Sequence, residues 1–360
     1  MNPFRSIIRK VHLLLGLSSG IVIFIVAITG CIYAFEEEIR SYLYRDLLFV
    51  NVPNKSDQKV SIDVLVDSVK KHYPKQVIKN IRFKNGDNSS VEVVFTTKES
   101  LYIHPYTKEV LGVVNKDKDF FGIVLKVHRS LYLGEPGKMI TGISALIFVT
   151  MIISGIILWW PRTKKRFKRN FTILKNARLG RRIFDLHSVL GFYASWIIIF
   201  TAITGLIWSF KWMENSLYWI THSKKTETRN IRSQYIKMPA VISLDKLIAT
   251  QKEALEKIEG YFISLPEDSL GVVRITILHD KDGFFSKYDQ YFFDRYTGTL
   301  IKSRLYKDLS LGDKIKSTNY NIHTGKVFGL MGQLLVFFAS LITASLPITG
   351  FMFWRLKNTL

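Results

Sequence analysis

Cysteine is nearly absent from this chain, because its 360 residues include only Cys31, inside an apolar stretch. A single cysteine excludes a disulfide framework, a CxxC metal site, a cysteine-ligated iron–sulfur cluster and the CxxCH attachment of a c-type haem. A GxGxxG loop after a strand, which would indicate dinucleotide binding, is also lacking. Any resident redox cofactor must therefore be held by other residue types.

Charge is missing from four long stretches, which are residues 13–35, 139–160, 188–210 and 327–354. About 20 helical residues cross the hydrocarbon core of a bilayer, so each stretch is long enough to span it. The first is too long for a signal-peptide core and lacks a small-residue cleavage site, so we expect it to be retained. The sequence predicts an α-helical membrane protein with four transmembrane helices in contact with lipid.

Acidic residues are outnumbered, at 29 against 51 lysines and arginines, which leaves a net charge of +22. The loop 161–182 has no acid and ten basic residues: Arg162, Lys164, Lys165, Arg166, Lys168, Arg169, Lys175, Arg178, Arg181 and Arg182. With four spans, this loop and both termini lie on one side, which the positive-inside rule makes cytoplasmic. Topology explains the basic loop, so we expect no nucleic-acid partner.

The two long connections between spans are predicted to be α+β domains outside the cytoplasm. A helix over 61–73 with Ser61 as N-cap precedes strands at 77–83, 90–96, 100–105 and 109–114. A second helix, from Ser243 through residue 258, precedes strands at 272–278, 288–293 and 299–304. The predicted division is 1–38 (first span), 39–126 (first domain), 127–160 (second span), 161–182 (basic loop), 183–212 (third span), 213–321 (second domain) and 322–360 (fourth span).

The chain contains an internal repeat. Residues 12–35 match residues 187–210 at ten of 24 positions, including the start His12/His187 and the run 27–30/202–205. With a larger offset the second span aligns with the fourth, so that His128 meets His323. The unit of span, domain and span is thus used twice in the same direction, which predicts two parallel repeats related by a pseudo-two-fold axis along the membrane normal.

Four of the eight histidines stand at the leading ends of the spans. His12 and His187 begin spans that leave the cytoplasm, whereas His128 and His323 begin spans that return to it. Two imidazoles at one depth, facing each other across a bundle, are what a bis-histidine haem requires. We therefore predict two haem b groups with these histidines as axial iron ligands: an inner pair (His12, His187) and an outer pair (His128, His323).

Glycines in the spans support this hypothesis. Gly16 and Gly30 share a helix face with His12, and Gly191 and Gly205 repeat the spacing after His187. A missing side chain beside a ring would make room for a planar cofactor. The pattern of Gly16 also fits close helix packing, and a proton relay by the histidines remains open. Zinc or copper would find few further ligands in the spans.

Several motifs together resemble the PepSY-associated transmembrane family, also called iron-regulated membrane proteins, over nearly the whole chain. They are His12-x-x-x-Gly16, His128-Arg-Ser-Leu-x-x-Gly134, Ser154-Gly-x-x-Leu-Trp-Trp-Pro161, Asp185-Leu-His-Ser-Val-Leu-Gly191, Thr204-Gly205 and His323-Thr-Gly325. The resemblance implies a di-haem b protein of the bacterial inner membrane with two PepSY-like periplasmic domains. Related members act as ferric-siderophore reductases in iron uptake.

On this resemblance, we expect a haem-dependent ferric-chelate oxidoreductase whose partner is a ferric siderophore or another ferric chelate. The chain has no flavoprotein domain, so we expect a separate electron donor, either a flavin reductase or a quinol. Arg129, beside His128, is a candidate partner for a haem propionate. Two other functions remain open: a non-redox anchor whose PepSY modules bind peptides or regulate a protease, and a cytochrome subunit that reduces a periplasmic protein.

Overall fold

The computed structural model describes residues 3–52, 58–161, 163, 167, 169–227, 231–236, 242–251, 255, 258–279 and 284–358. Its helices are α1 (Pro3–Ala34), α2 (Glu36–Leu43), α3 (Arg45–Leu48), α4 (Ile62–His72), α5 (Phe120–Ser130), α6 (Gly134–Trp159), α7 (Leu179–Asp185), α8 (Gly191–Ser209), α9 (Lys211–Ile220), α10 (Leu244–Ala249), α11 (Leu311–Thr324) and α12 (Gly329–Asn358). A π-helical turn, Leu186–Leu190, joins α7 to α8. Of the predicted basic loop, Arg162, Lys164, Lys165, Arg166 and Lys168 lie outside the described residues.

Four helical stretches are long and apolar enough to cross a membrane, namely Pro3–Ala34, Gly134–Trp159, Leu179–Ser209 and Lys326–Lys357. They agree with the four predicted spans, and each helical stretch begins before the uncharged stretch that predicted it. The chain is therefore a membrane protein with lipid-facing helices.

The spanning helices form a bundle in which each contacts two neighbours: α1 and α8 both pack against α6 and α12. Close packing uses glycines of α1. A Cβ on Gly16 would lie 3.2 Å from Cε of Met151, and one on Gly20 would lie 3.3 Å from Cβ of Pro347. Helices approach closely where a side chain is missing, so these two glycines serve helix packing.

The chain divides into two compact units. The membrane unit comprises Met1–Glu36, Phe120–Ile220 and Thr318–Leu360, and the sheet unit comprises Glu37–Asp119 and Thr221–Ser317. The helices α5 and α9, which flank the spans, belong to the membrane unit.

The sheet unit contains one antiparallel sheet instead of two separate modules. Its strands are β1 (Ile78–Lys84), β2 (Val91–Phe95), β3 (Glu99–Ile103), β4 (Val110–Asn115), β5 (Ile258–Ser264), β6 (Val273–His279), β7 (Tyr288–Phe293) and β8 (Leu300–Arg304). The strand order is β4-β3-β2-β1-β5-β6-β7-β8. Thus β1 of the first half pairs directly with β5 of the second, with Ile81 opposite Ile263.

Strand β5 was not predicted: the predicted helix ran to residue 258, whereas the observed one ends at Ala249, and residues 259–264 were assigned to no element. The run Ile258–Ser264 is short and mixes aromatic, charged and apolar residues, so its period does not distinguish strand from helix. Pairing with β1 and β6 decides its conformation. The other predicted strands agree with the structure to within two residues.

One face of the sheet packs against α4 and α10 to form the core. Alternate strand residues such as Ile81, Ile263 and Ile275 are fully buried there. From the helices, Leu65 and Leu247 complete the same cluster.

The N-termini of α4 and α10 cap each other. Asp245 accepts hydrogen bonds from the backbone N–H groups of Ile62 (2.9 Å) and Asp63 (3.0 Å). In return, Asp63 accepts from the backbone N–H of Leu244 at 2.8 Å. Each carboxylate thus satisfies N–H groups at the start of the other helix, where a negative charge is also favoured by the helix dipole.

We expect Asp63→Ala to destabilise the sheet unit by about 1–2 kcal/mol, as loss of a helix cap does. Burial opposes ionisation of Asp63, but hydrogen bonds from Ser243 and the N–H of Leu244 outweigh it and lower the pKa of Asp63. A lowered pKa in the folded state means that the stabilisation is present above about pH 4 and is lost as pH falls through the folded pKa.

Hydrogen exchange of the strand amides in the full chain, compared at neutral and acidic pH, measures this effect. Asp63→Asn is the matched control because it keeps an acceptor oxygen but cannot ionise, so it should lose only the pH-dependent part. Equal protection of Asp63→Ala and wild type at neutral pH would show that the reciprocal caps do not stabilise the unit.

Candidate functional site

The four histidines at the span ends meet as the two predicted pairs, all within the membrane unit. The ring centroids of His12 and His187 are 6.3 Å apart, with planes at 88°. Those of His128 and His323 are 6.1 Å apart, with planes at 74°. All four rings are half-buried. The bundle therefore brings together imidazoles from opposite halves of the chain at two separate places.

At the inner pair, each Nδ1 atom is hydrogen-bonded to the neighbouring helix. Nδ1 of His12 lies 2.8 Å from Oγ of Ser154, and that hydroxyl donates to the carbonyl of Met151. Nδ1 of His187 lies 3.1 Å from both the carbonyl of Leu346 and Oγ1 of Thr349. A carbonyl only accepts, and a hydroxyl that donates elsewhere accepts here, so both Nδ1 atoms carry the proton.

The outer pair is held in the same way. Nδ1 of His128 lies 2.9 Å from the carbonyl of Val26 and 3.2 Å from Oγ1 of Thr29. Nδ1 of His323 lies 2.9 Å from Oγ1 of Thr204, whose hydroxyl in turn bonds to a carbonyl of its own helix. These partners again place the proton on Nδ1, which leaves Nε2 with its lone pair.

The Nε2 atoms of all four rings make no hydrogen bond within the part of the chain that the structure describes. An imidazole whose Nδ1–H is held by a carbonyl or hydroxyl, with a free Nε2, is the usual form of a metal-ligating histidine. Two metal–nitrogen bonds of about 2 Å each, on opposite sides of one iron, put the ring centroids about 6 Å apart. The side-chain geometry therefore fits a bis-histidine haem at each pair.

A glycine lies against each histidine ring. A Cβ added to Gly155 or Gly350 would lie 3.4 and 3.1 Å from Cε1 of His12 and His187, respectively. A Cβ on Gly30 would lie 3.2 Å from Cε1 of His128, and one on Gly205 would lie 3.6 Å from Cε1 of His323. A side chain at Gly30 or Gly350 would crowd the ring beside it, whereas a Cβ at Gly155 or Gly205 would make ordinary van der Waals contact with the ring.

Gly30 and Gly205, at the outer pair, are among the glycines predicted from the sequence. Gly16 and Gly191 were predicted to make room for a planar cofactor near the inner pair. A Cβ on them would lie 3.2 Å from Cε of Met151 and 3.5 Å from Cδ2 of Leu346. Each inner histidine ring instead lies against a glycine of another helix. Gly155 and Gly350, on α6 and α12, are the residues that this reasoning missed.

A sequence signal for the missed residues exists. Each spanning helix has one Ser/Thr-Gly dipeptide whose hydroxyl contacts Nδ1 and whose glycine contacts the ring of the same histidine. The dipeptides are Thr29-Gly30, Ser154-Gly155, Thr204-Gly205 and Thr349-Gly350. Their fourfold recurrence was available in the sequence, but only the contacts show what they do.

The two pairs are separated along the bundle. On α1, His12 belongs to the inner pair, while Val26 and Thr29 contact His128 of the outer pair. These contacts follow His12 by 14 and 17 residues, a rise of about 21 to 25 Å along the helix. The pairs therefore lie near opposite ends of the spans, as the opposite directions of the spans predicted.

Two further residues surround the outer pair. The ring of Trp208 packs edge-to-face on His323, with centroids 5.1 Å apart. Asn319, one helical turn before His323, is buried and donates to the carbonyl of Thr204 at 3.1 Å. Thr204 is thus bonded to α11 through both its hydroxyl and its carbonyl, which fixes α11 on α8. Neither residue was predicted from the sequence to lie beside a histidine.

Arg129, the predicted partner of a haem propionate, is exposed and follows His128 on α5. Among the described residues its guanidinium has no bond to a carboxylate. Its position next to an outer-pair histidine leaves the prediction open.

A family model for the PepSY-associated TM region matches residues 9–357. The chain belongs to this family. The match covers both histidine pairs, all four spans and the sheet unit, so the family assignment and the paired geometry concern the same residues. No curated protein matches the chain.

Proposed function

We propose that this chain is a di-haem b electron-transfer protein of the bacterial inner membrane that reduces ferric-siderophore iron at the periplasmic face. The observation that carries the proposal is the pairing itself. Each pair consists of two imidazoles with a protonated Nδ1 and a free Nε2. The ring centroids are 6.3 Å apart in the inner pair and 6.1 Å apart in the outer pair. Ordinary edge-to-face ring contacts have similar distances between ring centroids. Such contacts do not explain why none of the four Nε2 atoms has a hydrogen bond among the described residues.

The residues of the chain have three roles in this proposal. The histidines would hold the haem iron through Nε2, and the hydroxyls and carbonyls of neighbouring helices hold the Nδ1 proton and the ring orientation. The Ser/Thr-Gly glycines keep side chains away from the ring edges. The apolar helices exclude water, which tunes a reduction potential through the local dielectric. Arg129 would pair with a propionate.

Haem, when bound, supplies one-electron chemistry on both sides of the membrane. A ferric chelate takes up one electron to become ferrous, and hard oxygen ligands hold ferrous iron less tightly than ferric iron, so the metal is released. In this proposal the electron comes from a separate donor on the other side, a flavin reductase or a quinol. The PepSY-like sheet unit is then periplasmic, and both termini are cytoplasmic.

The visible absorption spectrum of the detergent-purified chain, oxidised and then reduced with dithionite, tests the cofactor. We expect a bis-histidine b-type spectrum and about two haems per chain. A colourless protein from haem-replete cells would contradict the proposal and leave the non-redox PepSY anchor.

Anaerobic mixing of the reduced protein with a ferric siderophore tests the acceptor. Reoxidation of the haem with formation of ferrous iron is the expected result, and the iron-free siderophore is the control. A reduced protein that the ferric siderophore does not reoxidise would instead favour a cytochrome subunit that reduces another periplasmic protein.

A further inference from the structure

The first half of the sheet unit contains an open cleft of about 920 Å³. It lies between the hairpin of β3 and β4 on one side and α2, α3 and residues 49–51 on the other. A Cβ on Gly112 of β4 would lie 2.8 Å from Cδ2 of Leu47, so α3 packs directly on β4. All the lining residues belong to the stretch Glu37–Asp119. A cleft of this size, formed within one compact unit, is large enough for a small-molecule ligand.

The turn between β3 and β4, at the edge of this cleft, has a close counterpart in the second half of the sheet. Nδ1 of His104 accepts hydrogen bonds from the backbone N–H groups two and three residues later, at 3.3 and 3.4 Å. Oδ1 of Asp294 accepts from the N–H groups two and three residues later, at 2.8 and 2.9 Å. His104 and Asp294 therefore occupy corresponding positions.

In the second half, the other oxygen of this aspartate binds a neighbouring segment. Oδ2 of Asp294 accepts from the backbone N–H of Gln234 at 2.9 Å. The preceding residue, Ser233, donates its own backbone N–H to the carbonyl of Leu270 at 2.8 Å. Residues 233–234 are thus held against the turn by an acid of the same chain.

Residues 50–51 take the same place in the first half. The backbone N–H of Val50 donates to the carbonyl of Asn88 at 2.8 Å. Asn88 lies three residues before β2, just as Leu270 lies three residues before β6. Asn51 therefore corresponds to the residue that the second half binds through its aspartate, but the turn here contains His104. Among the described residues, the backbone N–H of Asn51 has no acceptor.

His104 offers the cleft a donor and not an acceptor. Because its Nδ1 accepts two N–H groups, the neutral ring carries its proton on Nε2, and no residue in the described ranges accepts that proton. The guanidinium of Arg45, on α3, lines the same cleft and has no carboxylate partner in the part of the chain that the structure describes. Three donors therefore line the cleft, at the end where the second half has an aspartate oxygen.

The remaining lining residues define the charge and shape of a matching ligand. Asp46, beside Arg45 on α3, and Glu109, just before β4, add two exposed carboxylates. Tyr42 and Phe49 add two exposed aromatic rings. With two acids and one cation, the cleft repels a ligand that carries several negative charges. A ligand with one carboxylate, one cationic group and an apolar body complements all of these side chains.

We propose that this cleft binds a small zwitterion, namely an amino acid with an apolar side chain. The carboxylate of the ligand accepts from the three donors, its ammonium group faces the two acids, and its side chain packs on the two exposed rings. The second half does not offer this site, because Asp294 already supplies the acceptor oxygen there. The site does not depend on haem, since it belongs to the sheet unit and requires only binding.

Calorimetric titration of the detergent-purified full chain with L-phenylalanine tests the site. We expect saturable binding to the wild type and roughly tenfold weaker binding to Arg45→Gln, which loses a charged donor. His104→Asp should also weaken binding, because it supplies the oxygen that Asp294 supplies in the second half and repels the carboxylate of the ligand. The matched control is Lys70→Gln, an exposed cation on α4 outside the cleft, which should bind like the wild type.

Two derivatives test the class of ligand. N-acetyl-L-phenylalanine lacks the ammonium group and L-phenylalaninamide lacks the carboxylate, so we expect each to bind more weakly than L-phenylalanine. Absence of saturable binding of L-phenylalanine, or equal affinities of the wild type, Arg45→Gln and His104→Asp, would overturn the site. A derivative that binds as tightly as L-phenylalanine would overturn the assignment to a zwitterion. Because binding and not reduction is measured, a colourless protein would leave this result intact.

Discussion

Alanine in place of His323 is expected to remove the outer haem and leave the inner one bound, so that haem content falls from about two to about one per chain. The reason is the geometry of the pair. The ring centroids of His323 and His128 lie 6.1 Å apart, and in the proposed site the loss of either imidazole would remove one of the two protein nitrogens that hold the iron. His128→Ala should have the same effect.

Double variants show which histidines share a haem. The variant His128→Ala/His323→Ala should lose no more haem than either single variant, because the proposal assigns both residues to the same iron. The variant His187→Ala/His323→Ala should lose both haems. The matched control is His72→Ala, whose side chain is exposed on α4 and should leave the content unchanged. If His12→Ala and His323→Ala behaved as members of one pair, the proposed ligand sets would be wrong.

The second prediction with a large effect concerns glycines at the tight turns that follow the outer histidines. Between α5 and α6, a Cβ on Gly137 would lie 1.8 Å from the carbonyl oxygen of Ser130. Between α11 and α12, a Cβ on Gly332 would lie 2.0 Å from the carbonyl oxygen of Gly325. Both contacts are far inside van der Waals distance and involve backbone, so no rotamer change can relieve them.

Gly137→Ala is therefore expected to force α5 away from α6 and to destabilise the membrane unit by about 3 kcal/mol or more. Gly332→Ala should act similarly. Thermal stability of the detergent-purified protein, followed by size-exclusion chromatography after heating, measures the loss.

The matched control for these variants is Gly180→Ala in α7. A Cβ at Gly180 meets nothing within 4 Å, and alanine has the higher helix propensity, so we expect no loss. Equal stability of Gly137→Ala and Gly180→Ala would show that the close approach of Ser130 is not required. Because the readout is stability, this test is independent of haem.

Much of the membrane unit could be predicted because its signals are local or periodic. Uncharged stretches predict the spans, since burying a charged side chain in lipid costs free energy. The repeat matched His12 with His187 and His128 with His323, and the direction of each span set the end at which its histidine lies. The family that these motifs resembled is the family to which the chain belongs.

The sequence analysis was incomplete where a contact crosses from one element to another. Gly155 and Gly350, which lie against the inner histidine rings, were not predicted because each is on a different helix from the histidine it contacts. Strand β5 was missed because its sequence is ambiguous until β1 and β6 pair with it.

The sequence by itself determined the four spans and the four histidines at span ends, because each depends on residue type and spacing along one segment. Only the tertiary structure decided which glycine and hydroxyl meet each imidazole and that the strands of the two predicted domains form one sheet. These facts depend on which surfaces meet, and a single segment does not contain the geometry of its neighbour.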